Sequence, residues 1–127
     1  MASQRAIRPQ VLIVEDDTPV RRSLQLLLAA QGYAVRAYAS ARQALADPAA
    51  HRSDCLIADL VMDGIDGFEL LASLRKKGWN GTAILISGHL NLQRTQEAQD
   101  AGFDTILEKP FADGLLIETV AKADGGA

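Results

Sequence analysis

The chain has 127 residues, 48% of them apolar and 23% charged, with 13 basic and 16 acidic side chains that give a formal net charge of −3. That is the size and balance of one globular domain, and the mild acidity speaks against a nucleic-acid or anionic-membrane surface, which needs concentrated Lys and Arg. Cys55 is the one cysteine in the sequence, which excludes an internal disulfide and a thiolate zinc site and fits a reducing compartment.

Residues 1–10 are polar, carry Arg5 and Arg8, and lack the apolar core of a secretion signal; they read as a disordered or extended lead-in. No stretch approaches the roughly 20 apolar residues of a membrane span, so a cytoplasmic location is expected. Residues 11–14 form an uninterrupted apolar run, the pattern of a strand buried on both faces. Thr18 and Pro19 predict a helix cap and first turn, with Val20, Leu24, Leu27 and Leu28 at helical spacing until Gly32. The second run, 33–38, is broken by Arg36 and reads as an edge strand. Ser40 can cap a short helix ending near Asp47 and Pro48, after which His51 falls in a loop without an evident task.

The third run, 55–58, is again wholly apolar and contains Cys55, read as a small buried hydrophobe. Asp66 caps a third helix carrying Phe68, Leu71 and Leu74. The basic run Arg75, Lys76, Lys77 before Gly78 sits where cations favour a helix C-terminus, a simpler role than phosphate binding. Trp79 is placed as a plug over the surface between this helix and the fourth run, 83–86. The helix over 92–101 is the least apolar. A short fifth run, 105–107, is bracketed by polar residues, and a last helix from Asp113 shows Leu116, Ile117 and Val120 on one side. The tail 124–127 reads as frayed.

Strands alternating with helices predict an α/β fold: a doubly wound, five-stranded parallel sheet over residues 11–123, with helices on both faces. With the second and fifth strands at the edges and right-handed crossovers, the order is 2-1-3-4-5, the flavodoxin-like arrangement. Ligands of such sheets lie at the carboxyl ends of the strands where strand order reverses, here between the first and third. Glu15, Asp16 and Asp17 follow the first strand and Asp59 ends the third. One loop acid means little. Several at the switch point need a cation, because two like charges about 4 Å apart repel by roughly 4 kcal/mol at an effective dielectric near 20. Oxygen ligands with open water positions suit Mg²⁺. Ser87 and Lys109 end the fourth and fifth strands on the same rim. A cation, an ammonium and a hydroxyl together form a cradle for a phosphoryl group, which Asp59 could accept as an aspartyl phosphate.

Val-Glu-Asp-Asp at 14–17, Asp59 followed by Met62, Gly64, Asp66 and Gly67, then Ser87-Gly88 and Lys109-Pro110-Phe111, resemble the receiver domain of bacterial two-component response regulators over about residues 11–120. The resemblance implies that Asp16 binds Mg²⁺ directly, Glu15 acts through a bound water, and Asp59 is both ligand and phosphoacceptor. It implies further that the Val61 carbonyl completes the protein part of the metal shell and that Ser87 and Lys109 hold the phosphoryl oxygens. Asp17 stays outside this set, and the Lys109-Pro110 bond is expected to be cis. Two positions depart from the family pattern: Asp63 stands where a proline is usual, and Ile106 where an aromatic residue turns inward during switching. Gly88 leaves the phosphoryl site open, and His89 is either an influence on dephosphorylation or an exposed loop imidazole.

The implied partners are a sensor histidine kinase or a histidine phosphotransfer protein, and a downstream protein target met through the helix 4, strand 5, helix 5 face. No nucleic-acid or membrane partner is expected, and the chain is expected to be a monomer or weak homodimer. With no effector in the sequence, it reads as a single-domain regulator or phosphorelay intermediate, or as a receiver excised from a longer chain. A rival is a Mg²⁺-dependent phosphohydrolase of small phosphate esters; such enzymes place a second acid two residues after the nucleophile, where this chain has Val61. A flavin or nucleotide carrier is disfavoured because acids, not a Gly-rich loop, follow the first strand.

Overall fold

The computed structural model describes residues 9–61 and 64–123. The lead-in 1–8, the tail 124–127, and Met62 and Asp63 lie outside them, and with Asp63 the charge that it would add near the site. Five parallel strands, β1 (Gln10–Val14), β2 (Ala34–Tyr38), β3 (Cys55–Asp59), β4 (Thr82–Ser87) and β5 (Thr105–Glu108), form one sheet in the order β2-β1-β3-β4-β5. The expected order and edge strands are thus observed. Gln10, assigned by sequence to the lead-in, instead begins β1, because its N–H donates to Asp54 Oδ2 (3.0 Å) and its register partner is Ala34. Tyr33 precedes β2 rather than opening it.

The helices are α1 (Thr18–Ala30), α2 (Ala41–Ala46), α3 (Gly67–Lys76), α4 (Leu92–Ala101) and α5 (Asp113–Ala123). None of the described helices is long and apolar enough to cross a membrane. Side-chain alternation along the strands sends Leu12, Val14, Leu56, Ala58 and Leu85 into a core shared with α2, α3 and α4. Val11, Ile13, Ile57, Ile84 and Ile86 form the other core with Leu24 and Leu28 of α1 and Leu116 and Val120 of α5. Each fully buried side chain of this kind contributes about 1.5–3 kcal/mol relative to exposure, which explains why β1, β3 and β4 read as unbroken apolar runs.

Local chemistry sets the helix ends. Asp66 caps α3 through a reciprocal box with Glu69, and Ser40 Oγ accepts from the Gln43 N–H at the start of α2. The α1 cap is Asp17, not Thr18: Asp17 Oδ1 accepts from the Val20 N–H at 3.1 Å, putting Thr18 and Pro19 inside the first turn. A 3-10 helix over Pro48–Arg52 replaces the expected loop, and His51 Nε2 there donates to the Leu45 carbonyl at 3.2 Å. Trp79 is buried in the core shared with Leu74 of α3 and Ala83 of β4, with Nε1 donating to the Ser53 carbonyl at 2.6 Å and the Arg75 guanidinium 4.8 Å from its ring centre. Arg75 is a local clamp, donating to the Trp79 and Gly81 carbonyls at 3.2 and 2.8 Å.

Candidate functional site

The register of β1, β3, β4 and β5 brings four strand ends to one rim. Val14 pairs with Ala58, Asp59 with Ile86, and Ser87 with Glu108, so that residues 15–16, 59, 87 and 109 emerge side by side. Carboxylate oxygens of Glu15, Asp16 and Asp59 lie within 4.8 Å of one another. Lys109 Nζ donates to Glu15 Oε1 and to Asp59 Oδ2, both at 2.8 Å. The other Glu15 oxygen accepts from the Asp17 N–H at 3.1 Å, and Asp59 Oδ1 accepts from the Val61 N–H at 3.2 Å.

Burial orders the electrostatics. The Glu15 side chain is fully buried, that of Asp59 is 11% exposed and that of Lys109 24%. Burial pushes the Glu15 carboxyl above its ordinary 4.5, against the hydrogen bonds from Lys109 and the Asp17 N–H, with the Asp59 charge adding to the rise. For Lys109, burial disfavours the ammonium, but the hydrogen bonds to Asp59 and Glu15 and their charges outweigh it and hold the group above 10.5. Asp16 is exposed, and among the described residues no hydrogen bond or ion pair holds its carboxylate. Among the described residues, three carboxyl groups thus face one ammonium, an excess of acids over cations. An all-oxygen donor set with that excess fits a hard divalent cation such as Mg²⁺.

Ser87 is fully buried at the end of β4, and its Oγ accepts from the His89 N–H at 3.1 Å. Its carbonyl accepts from the Lys109 N–H at 2.8 Å, tying the serine to the lysine segment, and the Lys109-Pro110 bond is cis. A Cβ at Gly88 would meet only Lys109 Cβ at 4.0 Å, so the rim is open there. Val61 is 56% exposed beside Asp59, and Ile106 is half-buried against the α2, α3 and α4 core.

The model of the response regulator receiver domain family matches residues 11–121. The chain belongs to that family. This receiver domain is 39% identical over 113 residues to the transcriptional regulatory protein FixJ of Rhizobium meliloti (strain 1021), covering 89% of this chain and 55% of that protein. It is 34% identical over 122 residues to nodulation protein W of Bradyrhizobium diazoefficiens, covering 96% of this chain and 52% of the relative. The receiver domain thus spans about half the length of these relatives. Among solved structures, the chemotaxis protein CheY4 of Vibrio cholerae superposes with a TM-score of 0.85 at 27% identity, over 91% of this chain and 98% of that one.

The receiver fold therefore places Glu15, Asp16, Asp59 and Lys109 in one cluster, with Ser87 joined to it through the backbone and Val61 through its N–H. Asp17 stands apart as the α1 cap. Sequence reasoning missed Arg21, whose guanidinium Nη1 donates to the Glu15 carbonyl at 2.9 Å. Arg21 belongs to no motif, and only the fold of the turn before α1 brings it back over residue 15.

Proposed function

We propose that this receiver domain, residues 11–123, accepts a phosphoryl group on Asp59 from a phosphohistidine of a sensor kinase or phosphotransfer protein. An Asp59 carboxylate oxygen attacks phosphorus, the bond from phosphorus to the imidazole nitrogen breaks, and the leaving histidine keeps the electron pair. Lys109, already 2.8 Å from Asp59 Oδ2, supplies a counter-charge for a phosphoryl oxygen, and Ser87 at the adjacent strand end supplies a hydroxyl. Glu15, Asp16, Asp59 and the Val61 carbonyl would hold Mg²⁺, which when bound neutralises charge on the transferred group. The observation that carries this reading is the single ammonium bridging Glu15 and Asp59 inside a cluster of three acids.

The domain acts as a signalling module rather than a turnover enzyme. Its added charge biases an equilibrium between surface conformations, read by a downstream protein through α4, β5 and α5. The weak burial of α4, where only Ala98 is fully enclosed, supports a mobile element on that face. Ile106, in place of an aromatic residue, requires a switch without ring rotation. The test is intact-mass analysis after incubation with acetyl phosphate and Mg²⁺. The wild type gains one phosphoryl mass that hydroxylamine removes, and Asp59→Asn gains none; equal labelling of the two proteins rejects the assignment.

A further inference from the structure

Arg21 lies one turn into α1 and, among the described residues, makes no ion pair with the acids of the cluster. Its side chain turns back along the helix, as helical Cβ directions favour, so that Nη1 reaches the Glu15 carbonyl (2.9 Å) and Nη2 reaches Thr18 Oγ1 (3.3 Å). That carbonyl belongs to the peptide unit joining Glu15 to Asp16. The unit is planar, so holding its oxygen also fixes the direction of the Asp16 N–H and of the bond leading to the Asp16 Cα.

The neighbours of Asp16 are held from other sides. The Glu15 N–H donates to the Tyr38 carbonyl at 3.1 Å, and the Asp17 N–H donates to Glu15 Oε2 at 3.1 Å. The Asp16 carboxylate has no such tie among the described residues, yet it lies within 4.8 Å of the other two acids. Its place is therefore set by the backbone of the turn, and Arg21 supplies the side-chain hydrogen bond to the carbonyl of that peptide. Resting on the reading of this cluster as a Mg²⁺ site, we infer that Arg21 is a positioning residue: it locks the peptide between residues 15 and 16 so that Asp16 is aimed into the cluster before the cation arrives. The guanidinium charge opposes cation binding. Arg21 is only partly buried, however, so water screens the repulsion while the hydrogen bond to the carbonyl is retained.

The two effects predict opposite signs, which makes the test decisive. The metal-free wild-type chain, Arg21→Met and Arg21→Lys are titrated with MgCl₂ by isothermal calorimetry, well below their melting temperatures measured in EDTA. Outer residues that orient metal ligands are worth 10–100-fold in affinity, and at this half-exposed position Arg21→Met is expected to bind Mg²⁺ about tenfold more weakly, with Arg21→Lys about threefold weaker. At saturating Mg²⁺ the rate of labelling by acetyl phosphate returns to that of the wild type, because the residue touches neither donor nor phosphoryl group. Equal or tighter Mg²⁺ binding in either variant, or a rate that stays low at saturation, overturns the inference. Should Arg21→Met not fold, Arg21→Lys decides alone by the same criterion. A wild type that does not bind Mg²⁺ overturns the metal-site reading itself, whereas normal wild-type binding and labelling with unchanged variants overturns only the role of Arg21.

Discussion

Glu15 shows how one residue sets a balance between stability and readiness. Its side chain is fully buried, and enclosing the charge raises its folded-state pKa above the ordinary 4.5 despite the pairing with Lys109. As pH rises from below 4.5, the unfolded chain releases this proton first, so stability present at low pH is lost through the folded-state value. Glu15→Gln removes that loss. In EDTA, the variant is expected to melt higher than the wild type at pH 7, with the difference vanishing towards pH 4, and to lose most of its Mg²⁺-induced stabilisation; thermal melts across pH check both. Lys109 has the complementary sign: its stabilisation is fully present below 10.5 and lost as pH climbs through its raised folded-state value. That Glu15 and Asp59 stand together at neighbouring strand ends was legible from the sequence. That Lys109 grips both was not, since nothing local to 109 specifies where its four-carbon stem points.

Among the elements, the start of α3 is pressed closely against the strand end that carries Asp59. A Cβ at Gly67 would lie 2.6 Å from the Asp59 carbonyl oxygen and 3.3 Å from Leu60 Cα, so the helix approaches β3 through a glycine. Gly67→Ala must move α3 or the strand end that carries Asp59. Overpacking of this kind costs about 1–3 kcal/mol, read as a lower urea midpoint at unchanged slope, and labelling of Asp59 should slow with it. Gly78→Ala is the control: φ there is +93° with open space around it, so the variant loses stability from backbone strain while its labelling stays normal. β1, β3 and β4 were legible because burial on both faces demands unbroken apolar runs, and β2 and β5 because their polar interruptions mark edge strands. The α1 cap was not, since Asp17 and Thr18 are both good caps and only the bond from the Val20 N–H selects Asp17. The 3-10 helix over Pro48–Arg52 escaped because it buries only Ala50 and so leaves no periodic stripe.

For the whole molecule, the site is a product of topology. Glu15 and Lys109 are 94 positions apart in sequence and Asp59 and Lys109 are 50 apart, yet the sheet order sets their strand ends on one rim. Acids from two neighbouring strand ends gather there only in the folded chain, and a cation that binds only the folded state must stabilise it. Melting temperature should therefore rise with the logarithm of Mg²⁺ concentration. At one hundred times the dissociation constant the gain is about 2.7 kcal/mol, and Asp16→Ala should abolish most of it; calorimetric scans with and without EDTA measure this.

The sequence by itself determined which segments lie inside the sheet, which strands form its edges, and that acids, a hydroxyl and an ammonium end four strands, because apolar periodicity and turn chemistry are local properties. The tertiary structure alone decided that Lys109 bridges two of the acids, that Asp17 rather than Thr18 caps α1, and that Arg21 braces the peptide beside Asp16. Those outcomes depend on strand register and on the directions of long side chains, which arise only when distant segments pack together.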